Sequence, residues 1–119
     1  VLDATALLAY LQGEQGADVV EAALADAAIC GAANWSEIAQ KVTTAARDWE
    51  LVKALLESYD LKVEPVTAHD GELAAARWRR GDGLSLADRL CLALGERLDA
   101  DVLTADASWG SAGRIRQIR

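Results

Sequence analysis

Four acids stand out in this sequence for the chemistry they could share: Asp3, Glu37, Asp88 and Asp106. They are far apart along the chain, yet each falls where a strand should end or a helix begin. Asp3 closes an opening apolar stretch, and Asp106 follows the run Val102-Leu-Thr104. Glu37 comes three residues after Asn34 and Asp88 three after Ser85, the spacing of a capping box at a helix start. In a parallel α/β sheet, ligands bind outside the carboxyl ends of the strands, and first turns of helices lie just beyond those ends. The pattern therefore predicts that the four carboxylates converge. Ionised carboxylates held together repel one another, and a hard divalent cation relieves the repulsion. Mg2+ or Mn2+ held in this way activates a water and steadies the oxygens of an in-line phosphodiester displacement. No other cofactor signature competes, since the chain has no GxGxxG, no GxxxxGKS or GxxxxGKT and no HExxH.

Each acid also has a plainer role open to it. Glu37 and Asp88 can be the back-reaching members of capping boxes with Asn34 and Ser85, and Asp106 can cap a turn. Asp3 is harder to explain away, because a carboxylate directly after a buried strand is costly unless compensated. Asp88 lies on a helix face that continues through Cys91, Leu92 and Gly95, so that face points inward.

The elements that must place these residues can be read from periodicity and punctuation. Val1 to Asp3 reads as the end of a buried strand. Helices are predicted over 5–11, closed by Gly13, and over 17–25. A short strand at 28–31 precedes a helix from Asn34 to about Ala46. A helix over 48–59 is expected to turn Leu51, Val52, Leu55 and Leu56 toward the core. Residues 61–66 alternate and hold the only proline, which suits a strand near a sheet edge. Thr67 opens a helix to about Arg79, residues 81–83 form a loop, and Ser85 opens the longest apolar helix, to about Leu98. Strands follow at 102–104 and 115–118. Alternating strands and helices on short loops predict one domain over residues 1–119, a three-layer α/β/α sandwich around a parallel sheet.

Composition sets the outer bounds. At 52% hydrophobic the chain is too apolar for a disordered segment, and it is long enough to bury a core without cross-links. Cys30 and Cys91 sit in apolar surroundings with no CxxC, which reads as two buried thiols. No apolar run could span a bilayer and no signal-peptide pattern opens the chain, so a cytoplasmic protein off the membrane is expected. The chain opens inside an apolar stretch without Met, so the first strand is expected to begin upstream. The net charge of −7 argues against non-specific nucleic-acid binding, although Arg77, Arg79 and Arg80 cluster, as do Arg114, Arg116 and Arg119.

The motifs around the four acids resemble those of PIN-domain toxins of the VapC type. Val1-Leu-Asp3-Ala-Thr5 resembles the opening of that family and Asn34-Trp-Ser-Glu37-Ile its second motif. Leu84-Ser-Leu-Ala-Asp88-Arg-Leu-Cys resembles the third, and Val102-Leu-Thr104-Ala-Asp106-Ala-Ser-Trp109 the fourth. Order and spacing agree over essentially the whole chain, and the third and fourth motifs together are the specific ones. The resemblance implies an α/β/α sandwich and a Mg2+- or Mn2+-dependent endoribonuclease, the toxin of a bacterial toxin–antitoxin pair. Its substrates would be structured RNAs such as transfer RNA. It also implies a cognate antitoxin and a homodimer. Asp3, Glu37, Asp88 and Asp106 fall on the family's acidic positions, and Thr5 and Thr104 on hydroxyl positions that hold a carboxylate or a metal-bound water.

Other conspicuous residues receive smaller roles. Trp109 is expected to pack against the core rather than stack on a base, and Trp35, Trp49 and Trp78 to be core or interface residues. His69 and Asp70 belong to a helix start, and Arg77, Arg79 and Arg80 to a solvated face. Two rival readings remain. A receiver-like signalling module also gathers carboxylates and Mg2+ at strand ends, but it would want a late lysine, and none follows Lys62. A catalytically idle PIN-like binding protein would share the fold without the activity.

Overall fold

The computed structural model describes all residues, 1–119. In chain order the elements are α1 (Ala4–Leu11), α2 (Ala17–Leu24), β1 (Ile29–Gly31), α3 (Ala32–Thr44), α4 (Trp49–Ser58), β2 (Lys62–Glu64), α5 (Ala68–Ala76), α6 (Leu86–Leu98), β3 (Val102–Thr104), a 3-10 turn (Ala107–Trp109) and β4 (Ile115–Gln117). β1 pairs in parallel with β2, and β3 with β4. The first residues join the two pairs. Leu2 donates its N–H to the Ile29 carbonyl at 2.8 Å, Asp3 to Leu103 at 3.1 Å, and Leu103 in turn to Val1 at 2.8 Å, with Leu2 and Leu103 bridged in parallel. The spatial order is therefore β2, β1, the Leu2 segment, β3, β4. The chain winds outward from its first residues to β2, then crosses back to lay β3 on their other side. In open α/β sheets ligands bind at such a reversal, here at the carboxyl ends of the Leu2 segment and β3.

Alternation along the strands feeds two cores. Leu2 and Leu103 pack with Leu7, Val20, Leu24, Ile38 and Leu56 from α1 to α4. Their neighbours Val1 and Val102 pack with Cys91, Leu92 and Trp109 on the α6 side. Helices thus cover both faces of a parallel sheet, the three-layer α/β/α sandwich that the sequence predicts. α6 lies close on β3 because Gly95 faces Val102: a Cβ at position 95 would strike the Val102 Cγ2 atom.

Two expectations about helices are corrected. α3 begins at Ala32, straight after β1, with Gly31 extended at φ −73° and ψ 150° as its N-cap. Asn34 is therefore inside the first turn and cannot cap, and Glu37 lies in the second turn. Two alanines, both good helix formers, extend the helix backward to the strand end. In α4 only Leu56 is fully buried, while Leu51 is 69% exposed and Leu55 43%. The stripe that turns inward is Trp49, Val52 and Leu56, seated by an edge-on contact of Trp49 with Trp35 at 5.0 Å between centroids. Trp78, expected as a core or interface residue, is exposed at 52% and so is not part of the core.

Candidate active site

The carboxyl ends of the Leu2 segment and β3 meet at Asp3. Its backbone is extended (φ −81°, ψ 174°), it caps α1, and its Oδ1 accepts the N–H of Ala6 at 2.8 Å. The side chain is only 2% exposed. The hydroxyl of Thr5 donates to it at 2.8 Å, and that of Thr104, at the end of β3, donates to Oδ2 at 2.6 Å. Each hydroxyl also accepts a backbone N–H from the segment leaving β3: Ala105 donates to Thr5 at 2.9 Å and Asp106 to Thr104 at 3.0 Å. Two relays thus run from backbone amide through hydroxyl to carboxylate, and each link polarises the next. They fix Asp3 against the chain that carries Asp106.

The other acids arrive by different routes. Asp88 stands in the first turn of α6 in the capping box expected with Ser85. Its Oδ2 accepts from Ser85 N at 3.0 Å, and its own N–H donates to Ser85 Oγ at 3.1 Å. Its inward face continues through Cys91, Leu92 and Gly95, all buried. Asp106 caps the 3-10 turn, accepting from the N–H of Ser108 at 2.9 Å and from its Oγ at 2.6 Å. Glu37 is partly buried and takes the side-chain amide of Asn34 at 3.1 Å.

Asn34 is the residue that sequence reasoning missed. It is 1% exposed, and a donor so placed serves to aim Glu37, an i, i+3 neighbour on the helix. The only signal was its polarity three residues before an acid, which mimicked a cap.

Charge at the site is uneven. Burial pushes the Asp3 carboxyl up to about 6 from its ordinary 3.8; the donors Thr104, Ala6 and Thr5 restrain the rise, and the neighbouring charge of Asp88 adds to it. Burial also pushes the Cys30 thiol up to about 12, with the charges of Asp3 and Glu37 adding, and raises Cys91 well above its usual value. Both thiols are free and buried, and that burial disfavours the thiolate that a nucleophile or soft-metal ligand requires. Trp109 is buried among Cys91, Leu92 and Val102, which leaves its ring no open face for a base.

Residues 1–115 match the family model of the PIN domain. The chain belongs to the PIN-domain family. No curated protein matches it. PIN domains are as a class metal-dependent nucleases, which gives this PIN domain a nuclease-type function. Its parallel sheet and flanking helices are those of the family fold.

The donor set of this PIN domain suits a hard divalent cation in kind. It is all oxygen, with a buried carboxyl whose ionisation a second carboxylate opposes. The side chains are not gathered into a finished ligand set: no three His, Cys, Asp or Glu side chains stand together as a metal site. Each carboxylate is instead held by protein donors, Asp3 by Ala6, Thr5 and Thr104, Glu37 by Asn34, Asp88 by Ser85, and Asp106 by Ser108. Outside this group, Asp70 forms a capping box with Thr67 and an ion pair with Arg97 at 2.8 Å. Burial pushes its carboxyl up, but the Arg97 and Thr67 donors outweigh that and hold it below the usual range. It ties α5 to α6. His69 is exposed beside Glu72. No helix is long and apolar enough to cross a membrane.

Proposed function

We propose that this PIN domain is a Mg2+- or Mn2+-dependent endoribonuclease, the toxin of a bacterial toxin–antitoxin pair. Asp3, Glu37, Asp88 and Asp106 are its metal-holding carboxylates, and Thr5 and Thr104 support them. The observation that carries the reading is Asp3 itself. A carboxyl with almost no exposure, clasped by two threonines and opposed by a second acid, is arranged for a cation rather than for stability.

When bound, the cation supplies a water activated at neutral pH and positive charge for the oxygens of a phosphodiester. The protein's own part is orientation. Thr5 and Thr104 keep both Asp3 oxygens aimed and lower the cost of its charge. Asn34 aims Glu37, and the capping box keeps Asp88 at the mouth of the crevice. The buried Trp109 and the α6 face wall the site with apolar surface, where electrostatic interactions are stronger than in water.

A cytoplasmic ribonuclease must be restrained, and an acidic crevice on a chain of net charge −7 suits an antitoxin segment bearing arginine or lysine. The apolar stripe of Leu51 and Leu55 on α4 supports self-association into a homodimer, which a mass measured by light scattering at micromolar concentration tests. The substrate proposed is structured RNA, with transfer RNA the first to try.

The deciding experiment is cleavage of total cellular RNA by the purified protein. Activity lost in EDTA and restored by Mn2+ is expected, together with growth arrest on expression that a co-expressed neighbouring small protein relieves. RNA left intact in Mn2+ overturns the nuclease reading; cleavage without growth arrest overturns the toxin reading alone.

A further inference from the structure

The connection between α5 and α6 carries an open aromatic ring and free arginines directly upstream of Asp88. Trp78 exposes 52% of its surface, and the Arg80 guanidinium lies 5.9 Å from its ring centroid. Arg79 folds back on the loop, its Nη1 donating to the carbonyls of Ala76 at 3.0 Å and Trp78 at 2.8 Å. Neither Arg79 nor Arg80 has a carboxylate within ion-pair distance. Arg77, Arg97, Arg114, Arg116 and Arg119 all do, paired with Glu96, Asp70, Asp99, Asp101 and Glu14; Arg47 and Arg89 also lack one, but neither stands on this connection. In a chain this acidic, two cations left free beside an exposed tryptophan form a site for a polyanion that carries flat rings.

The loop is fastened to the candidate site at its far end. Asp82 accepts the N–H of Leu84 at 3.0 Å, Leu84 packs against the Cys91 and Trp109 cluster, and Ser85 N donates to the Asp88 carboxylate at 3.0 Å. Ser85 comes five positions after Arg80, at most about 18 Å of extended chain. A strand lying on this loop therefore continues toward the crevice.

We infer that Trp78, Arg79 and Arg80 form a platform for single-stranded RNA. One base stacks on the face of Trp78 that Arg80 leaves open, and the two guanidiniums take the flanking phosphates. This rests on the ribonuclease reading and adds to it the element that holds the RNA beside the carboxylates. All three side chains lie on the surface, so replacing them should leave the fold intact.

The test is binding of short fluorescein-labelled oligoribonucleotides of mixed sequence, followed by anisotropy in EDTA so that nothing is cut, alongside cleavage of total RNA in Mn2+. Trp78→Ala should weaken binding roughly 5- to 140-fold, the worth of one stacked base, and raise KM more than it lowers kcat. Trp78→Phe should restore most of the loss. Arg79→Ala and Arg80→Ala should each reduce the slope of log affinity against log salt by about 0.7. Wild-type protein that binds and cuts RNA while Trp78→Ala binds equally well overturns this inference and leaves the nuclease standing. Wild-type protein that binds RNA through Trp78 but never cuts it overturns the nuclease and leaves the platform. If Trp78→Ala loses only its hold on a co-expressed partner protein, the surface is a protein-docking site and the inference fails.

Discussion

Thr104 gives its hydroxyl proton to Asp3 at 2.6 Å across 101 positions of sequence. The bond joins the end of the chain's first extended segment to the end of β3, the two strands between which the sheet reverses its winding. It also spends the only proton of Thr104 on a carboxylate, so the hydroxyl otherwise acts as an acceptor, here for the Asp106 amide behind it. The 3.2 Å approach of Thr5 to Thr104 adds no further donor to Asp3.

The raised Asp3 carboxyl makes the metal-free protein sensitive to pH. Its folded-state value of about 6 lies above the ordinary 3.8, so the folded protein holds that proton more tightly than the unfolded chain. The associated stability is fully present below about pH 4 and is lost as pH rises through 6, on the order of 3 kcal/mol in all. Asp3→Asn removes this loss. Urea unfolding in EDTA should show the variant gaining on wild type as pH rises from acid to neutral, and parallel curves would refute the strain on Asp3. Thr104→Val, which removes a donor to the charged form, should move the upper end of the transition to higher pH. With Mn2+ present the sign for activity is opposite, because protons compete with the cation, and cleavage should decline below about pH 6.

Asp88→Asn separates a cap from a metal-holding residue. Asparagine keeps an acceptor for the Ser85 amide, so helix capping changes by less than the ~1 kcal/mol typical of losing a cap outright. Relief of repulsion on Asp3 works in the other direction. The metal-free melting temperature should hold or rise, while RNA cleavage at saturating Mn2+ falls by orders of magnitude. A folded variant that cuts at the wild-type rate would sink the catalytic role of Asp88.

Asn34→Ala releases Glu37. The expected loss is 10- to 100-fold in Mn2+ affinity or activity, about what removing an orienting partner of a ligand costs. In the Glu37→Ala background the same change should cost little more, because the two residues act as a unit. Additive losses in the double variant would show that Asn34 works through something other than Glu37.

Gly95→Ala should destabilise the protein although alanine favours a helix by about 1 kcal/mol. The added methyl meets Val102 where α6 lies on β3, and overpacking of that kind costs about 1–3 kcal/mol. A thermal melt reads the net effect. A melting temperature above wild type would mean that α6 can shift away from β3 at no cost.

Much of this was legible in the sequence because the signals were local. Strand positions, the Ser85–Asp88 box and the inward face of α6 follow from spacing alone, and Asp3 stood out as a carboxylate at the end of a buried stretch. Three things were not legible. Asn34 imitated an N-cap because nothing in a sequence tells a cap from a third helical residue when two alanines precede it. Leu51 and Leu55 share a helix with Trp49, Val52 and Leu56, and periodicity cannot choose between adjacent stripes when both are apolar. The hold of Thr5 and Thr104 on a carboxylate came only from the family resemblance, and the amide-to-hydroxyl relays behind it join residues about a hundred positions apart, a relation that spacing does not show.

The central place of the first extended segment has a consequence for synthesis. During synthesis Asp3 leaves the ribosome about a hundred residues ahead of Thr104 and of the Ala105 and Asp106 amides. Until then the middle of the sheet lacks its neighbour on one side, and contacts of such long sequence separation form slowly. A ribosome stalled before β3 therefore carries a fragment in which Asp3 lacks both Thr104 and Asp106. On the toxin reading, the cell meets the assembled site only once β3 has been made and joined to the first extended segment.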